Sequence, residues 1–198
     1  MSKEWPLDDV RNRRWLDIIE YLDELLLEIN SESMSMLLVT VAFFENTTQI
    51  VDKLISAGAN PSFNYPFDGV CDQGKVRFLD CEPGATPVGQ TILGSSYELQ
   101  ETLPTLKSLI AHGADVNQIT YSGYTPIQLA IVFDRPAHAE LLLQSGADPW
   151  RPSADLDKPN AFDLSNDRSK DWAKALLNKY MNEQRRKLAK KEKGSDSN

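Results

Sequence analysis

Two cysteines, two histidines and a set of loop aspartates carry most of the chemical scope of this 198-residue chain. Cys71 and Cys81 stand ten residues apart in one polar, glycine-rich segment. As thiolates they could act as nucleophiles, and under oxidation they could close a loop. In a reducing compartment both stay thiols. Zinc would need nitrogen or sulfur ligands at short spacing, and neither His112 nor His138 has that relation to the cysteines. Asp68, Asp72 and Asp80 cluster in the same segment without the spaced pattern of a calcium-binding loop. No glycine-rich loop precedes a helix to cradle phosphate, and Gly89 and Gly94 stand singly. No nucleophile is paired with a base. The expectation is therefore a chain that is not an enzyme, with no catalytic residue, no metal and no cofactor.

The elements that would position these residues are helical. From Asp9 to Asn30, Val10, Leu16, Ile19, Leu22, Leu26 and Ile29 recur at three- and four-residue spacing, with acids between them. Further on, Gly-Ala-Asn or Gly-Ala-Asp closes an apolar run three times, at Gly58, Gly113 and Gly146. The last two copies are 33 residues apart. A fixed period of that length predicts stacked helix pairs rather than a closed globule. Thr86-Pro87 and Thr125-Pro126 read as helix starts, Thr as N-cap and Pro as first helical residue. A turn is expected near Asn46, and Leu103-Pro104 should open a second helix. Residues 61–83 interrupt the rhythm with Pro, Gly and Asp. About 16 of the residues before Thr86 are surplus to the spacing of the next unit, and Val76 to Leu79 could form a short strand within them.

These residues resemble the ankyrin-repeat family. Gly123-Tyr124-Thr125-Pro126-Ile127-Gln128-Leu129-Ala130 followed by Leu141-Leu142-Leu143-Gln144-Ser145-Gly146-Ala147-Asp148 is similar to its G-x-T-P-L-H-x-A and L-L-x-x-G-A-D pattern. Gly84-Ala85-Thr86-Pro87 with Gly113-Ala114-Asp115, and Ala42 with Gly58-Ala59-Asn60, supply two more units. The resemblance covers roughly residues 35–180. It implies an all-α solenoid with an N-terminal capping helix and one long inserted loop. The expected layout is a cap at 1–34 and repeats at 35–60, 84–117, 123–150 and a degenerate 158–180. The insertion is 61–83, and residues 181–198 form a basic, disordered tail. The family's first-helix His is replaced by Thr40, Gly89 and Gln128, so weaker bonding between repeats is expected. Leu37-Leu38 stand where Thr-Pro belongs, so unit one should lack its cap.

Carried over by position, the resemblance places Tyr121, Ser122, Tyr124, Val132 and Phe133 on the concave partner-binding side. Phe44 and Glu45 from unit one, and Trp150 and Arg151 from the following loop, join them. Tyr, Trp and Arg are the commonest interface anchors. For Phe44 and Phe133 a place in the core between helices is the alternative.

Charge narrows the partner. The net charge is −8; residues 170–193 carry +6 and Asp196 carries −1, leaving −13 on residues 1–169. An acidic body repels phosphates, so no nucleic acid is expected, and a basic protein is favoured. No apolar run reaches the roughly 20 residues of a membrane span, and the first residues lack a secretory pattern, so a cytoplasmic monomer is expected. The leading functional expectation is a protein–protein interaction module that sequesters or inhibits its partner, such as a bacterial immunity-type protein neutralising a toxin. The alternatives are an effector or adaptor binding a host or complex partner, and an enzyme with Cys71 or Cys81 as nucleophile. A catalytic cysteine would be a low-pKa thiolate labelled quickly near neutral pH.

Overall fold

The computed structural model describes residues 19, 22–24, 26–65, 70–71, 76–77, 84–98, 101–154 and 159–195. Among the described residues, eight helices form two parallel rows. The pairs are α1 (Ser31–Val41) with α2 (Thr48–Ser56), and α3 (Pro87–Glu98) with α4 (Leu103–Ala111). Then follow α5 (Pro126–Val132) with α6 (Pro136–Gln144), and α7 (Ala161–Leu164) with α8 (Asp171–Ser195). First helices stack in the order α1, α3, α5, α7, and second helices in the order α2, α4, α6, α8. This is the all-α solenoid expected from the repeats. The described strands are β1 (Val70–Cys71) and β2 (Val76–Arg77), an antiparallel ribbon pairing Val70 with Arg77 and Cys71 with Val76. Strand Val76–Arg77 lies where one was expected; Phe78 and Leu79 fall outside the described residues.

Each helix pair is cut out by the same local chemistry. The bend between first and second helix needs one left-handed residue. Asn46 supplies it before α2 (φ 61°) and Asp134 before α6 (φ 55°). Asn and Asp tolerate that region best among residues with a side chain. The second helix ends on a left-handed glycine, Gly58, Gly113 or Gly146. The next residue then closes the helix: Ala59 N–H donates to Leu54 O (2.9 Å), Ala114 to Leu109 O (3.0 Å) and Ala147 to Leu142 O (2.9 Å). At all three glycines an added Cβ would meet nothing within 4 Å, so backbone conformation and not space selects glycine. The alanines are buried. The repeated phrase is thus a helix stop whose middle residue is core.

The core runs the length of the stack through Leu38, Leu54, Ile92, Leu109, Leu129 and Leu142, each at most 1% exposed. Leu22, Leu26 and Ile29 pack against its first unit, and residues 22–24 are helical. Most of the expected capping helix lies outside the described residues. Unit one does not lose its N-cap. Helix α1 begins six residues upstream of Leu37, where the Asn30 side chain accepts from Ser33 N–H (2.8 Å). The extra length of unit two goes into its first helix, 12 residues in α3 against 7 in α5. Helix α8 continues through the segment expected to be a disordered tail and ends at Ser195.

Candidate protein-binding face

Behind each Gly-Ala-Asx stop the chain turns into a loop, and the loops are bonded in series. The Asx side chain accepts from the N–H two residues on: Asn60 from Ser62 (2.9 Å), Asp115 from Asn117 (2.8 Å) and Asp148 from Trp150 (2.9 Å). This Asx turn aims the second residue at the following unit. Ser62 Oγ accepts from Asp115 N–H (2.8 Å), and Asn117 Oδ1 accepts from Asp148 N–H (2.7 Å). Ser35 of α1 plays the same part for Asn60 (2.8 Å). The N–H groups of Asp115 and Asp148 are therefore satisfied by the preceding unit, and that of Asn60 by the first helix of its own unit. Asn117 also donates from Nδ2 to Gly146 O (3.1 Å). Replacing Asn117 by alanine should cost about 1 kcal/mol, since two inter-repeat bonds are lost at a partly wet site. An unchanged urea midpoint would show water substituting fully.

The series stops at Trp150, which cannot accept at that position. Its ring lies on Phe162 of unit four, centroids 4.1 Å apart and planes inclined 24°. Trp150 is still 54% exposed. Sequence alone offered it as an interface residue; the structure also gives it the junction between units three and four.

Ahead of each Thr-Pro the loops return as fingers. Thr120 N–H donates to Tyr124 O (2.9 Å), leaving Tyr121, Ser122 and Gly123 as the tip. The equivalent pair in the preceding loop is Tyr65 N–H to Ala85 O (2.9 Å), with Gly84 N–H returning to Tyr65 O (2.8 Å). Tyr65 is buried. The bonds that pin the base of the long insertion therefore match those of the neighbouring loop. Residues 61–65 belong to the repeat, and the additional chain is 66–83. The fingers touch: a Cβ on Gly84 would lie 3.1 Å from Tyr121 Cα, and Ala154 N–H donates to Gly123 O (2.8 Å).

Of the expected interface residues, Tyr121 is 40% exposed at a fingertip, and Arg151 is exposed in the next loop, tied to that finger. Ser122 is half-buried beside it, its hydroxyl 3.0 Å from Thr120 Oγ1. Tyr124, Phe133 and Phe44 are half-buried and packed on the core, Phe44 edge-to-face with Phe43 at 5.2 Å. Glu45 is half-buried in the turn after α1, and Val132 is exposed at the end of α5.

Bonding between units is not weakened at Gln128. Its Oε1 accepts from Thr125 N–H (2.8 Å), and its Nε2 donates to Arg151 O (3.0 Å) and Pro159 O (3.3 Å). Glutamine thus ties its own helix start to the next loop. Thr40 Oγ1 donates to Met36 O of its own helix (3.1 Å). Gly89 lets Thr120 approach, since a Cβ there would lie 2.8 Å from Thr120 Cγ2. Gly94 matters more: its Cβ would lie 1.7 Å from the Phe43 carbonyl oxygen. These two glycines are contact points between units, a role that single glycines in a sequence do not announce.

The titratable groups have structural duties. His138 is buried in α6, with Nε2 3.1 Å from Thr102 Oγ1. Thr102 Oγ1 donates its own proton to Thr91 O (2.5 Å), so His138 Nε2 carries the proton shared with Thr102. Burial pushes the His138 pKa down to about 4; the Glu101 charge opposes this weakly and the Arg135 charge assists. Asp134 is held below the ordinary carboxylate range by Lys170 Nζ at 2.6 Å and by Trp172 Nε1–H at 2.8 Å. Those contacts lock unit four onto the α5–α6 turn. Ser108 donates its hydroxyl proton to Asp52, and His112 Nδ1 sits 2.9 Å from Ser108 O. The serine proton points at a carboxylate and not at an imidazole, so the trio is not arranged as a Ser–His–Asp triad.

The helix-stop phrase, the paired rows and the serial loop bonding define a stacked-repeat binding protein. The family model for ankyrin repeats (three copies) matches residues 38–153, more than half of the chain. The chain belongs to the ankyrin-repeat family. It is 26% identical over 147 residues to a Borreliella burgdorferi protein that carries the name of an ankyrin repeat protein. That match covers 74% of this chain and 56% of the relative, so the chain spans little more than half of the relative's length. Ankyrin repeats make it a protein–protein interaction module. Among the described residues no helix is long and apolar enough to cross a membrane.

Proposed function

We propose that the chain grips a basic protein partner on its finger side and sequesters or inhibits it, as an immunity-type protein does a toxin. The observation that carries this reading is the pair of hydrogen-bonded neighbouring loops bearing Tyr121 and Arg151, with Trp150 at the root of the second. An exposed Tyr and Trp beside an Arg form the kind of cluster that concentrates binding energy. The net −13 of residues 1–169 supports a basic partner. The inserted chain of residues 66–83 is anchored at Gly84, against Tyr121, and supplies extra length for contact with a partner.

Co-purification from the native host, with mass-spectrometric identification of the bound protein, names the partner. With it in hand, Tyr121→Ala should weaken binding by about 2 kcal/mol and leave the urea midpoint unchanged. Tyr121 is the cleaner probe, because Tyr124 packs on the core and Trp150 on Phe162. Unaltered affinity on calorimetric titration would move the interface elsewhere.

A further inference from the structure

The two ends of the stack carry opposite charge, and each bears an exposed leucine. Between Arg14 and Lys53 the sequence has eight acids and no Lys or Arg. Of these, Asp23, Glu24, Glu28 and Glu32 are exposed at the unit-one end. Asp23 is paired with Lys53 of α2 at 2.6 Å, which fixes that segment against the first unit. Leu27 lies among them and is 88% exposed. At the other end, residues 184–191 hold five Lys or Arg and no acid. They lie on α8 beyond its packed part, with Arg185, Arg186, Lys187 and Lys190 exposed. Leu188 stands among them at 62% exposure. Leu27 and Leu188 are the two most exposed large apolar side chains among the described residues.

Helix α8 cannot satisfy its own far half. Ala173 and Leu177 are core, and Met181 and Gln184 continue that face half-buried. The next position on the stripe is Leu188, which is 62% exposed and meets no further helix among the described residues. Residues 185–195 add about 16 Å of helix past Gln184. Arg186 with Lys190, and Lys187 with Lys191, repel each other at i,i+4. Residues 185–195 carry six Lys or Arg against one acid, Glu192, with Glu183 one turn before, so positive charge is in surplus around an uncovered Leu188. The unit-one end of the same molecule offers a surplus of acids around an exposed leucine.

We infer that the chain associates head to tail with a second copy of itself. The basic, Leu188-bearing end of α8 seats on the acidic, Leu27-bearing end of the next molecule. The contact is heterologous, so it leaves one free end of each kind and builds open chains rather than a closed dimer. It departs from the expected monomer and leaves the finger side of every copy free. Nucleic acid is the disfavoured occupant, because a body of net −13 repels phosphates and residues 181–198 contain no aromatic residue for stacking on bases.

Sedimentation velocity on the full chain tests this at low and at high salt, over a concentration series. At low salt the average sedimentation coefficient should climb with concentration without a plateau at dimer, and high salt should abolish the climb. Leu27→Lys/Glu28→Lys and Arg185→Glu/Arg186→Glu should each be monomeric alone, with urea midpoints near that of the unaltered chain. An equimolar mixture of the two should associate, because one supplies an intact tail and the other an intact head. A concentration-independent coefficient for the unaltered chain would overturn the inference. So would association that persists in either variant alone. Retention of a labelled DNA duplex by a monomeric unaltered chain would assign the basic helix to nucleic acid instead.

Discussion

Replacing Gly94 by alanine should destabilise the stack by about 3 kcal/mol, a large loss for one added methyl group. Helix propensity alone predicts the opposite sign, since Ala is favoured over Gly by roughly 1 kcal/mol within a helix. Contact decides the outcome. The new Cβ would stand 1.7 Å from the Phe43 carbonyl oxygen and 2.7 Å from its carbon. Both are backbone atoms at the end of the first helix of unit one, so no side chain can swing aside. Relief requires α3 to move away from α1. That separation loosens the seam lined by Leu38, Val41 and Ile92, all fully buried. Urea unfolding followed by circular dichroism measures it, and a midpoint unchanged or raised would show that the first two units tolerate the spacing.

Acid should weaken the fold through His138 by up to about 3 kcal/mol between pH 6.5 and 4. The unfolded chain takes up a proton on this imidazole near its ordinary 6.5, and the folded chain only at about 4. Between those values the unfolded state binds more protons. Stability from this group is therefore complete above pH 6.5, falls as the pH drops through the interval, and is lost below 4. The cause is burial at a site where Thr102 and Thr91 already form a closed chain of bonds with the ring. His138→Gln keeps an N–H donor for Thr102 and removes the titration. Comparing urea midpoints of the two proteins at pH 7 and pH 5 isolates the histidine from general acid effects. Equal losses in both would mean that the imidazole is protonated without penalty.

Much of the architecture was legible because local chemistry dictates it. Left-handed Gly58, Gly113 and Gly146, and the prolines opening α3, α5 and α6, act within a few residues of themselves. The spacing of Thr86 and Thr125 from their preceding glycines located the surplus chain, and its base at Tyr65 and Ala85 agrees with that count. What stayed hidden depends on neighbours distant in sequence. Gly94 is special only because Phe43 lies against it. Gln128 reads as a departure from the family's histidine, yet an amide offers both an acceptor to Thr125 and a donor to Arg151. Trp150 reads as an exposed aromatic, and its stacking on Phe162 required knowing where unit four folds back. The far half of α8 reads as a charged tail because its pattern of basic residues hides the single apolar stripe of Leu177, Met181 and Leu188. Surface residues such as Tyr121 could be placed by analogy of position, whereas the bonding of its finger to Ala154 came from the three-dimensional arrangement.

The pinned base of the long finger has a consequence for how such a protein can change. Two backbone bonds at Tyr65 close the same gap that the next loop closes around three residues. Whatever lies between those anchors is a cartridge: its length and sequence can change at small entropic cost while the scaffold behind it keeps its geometry.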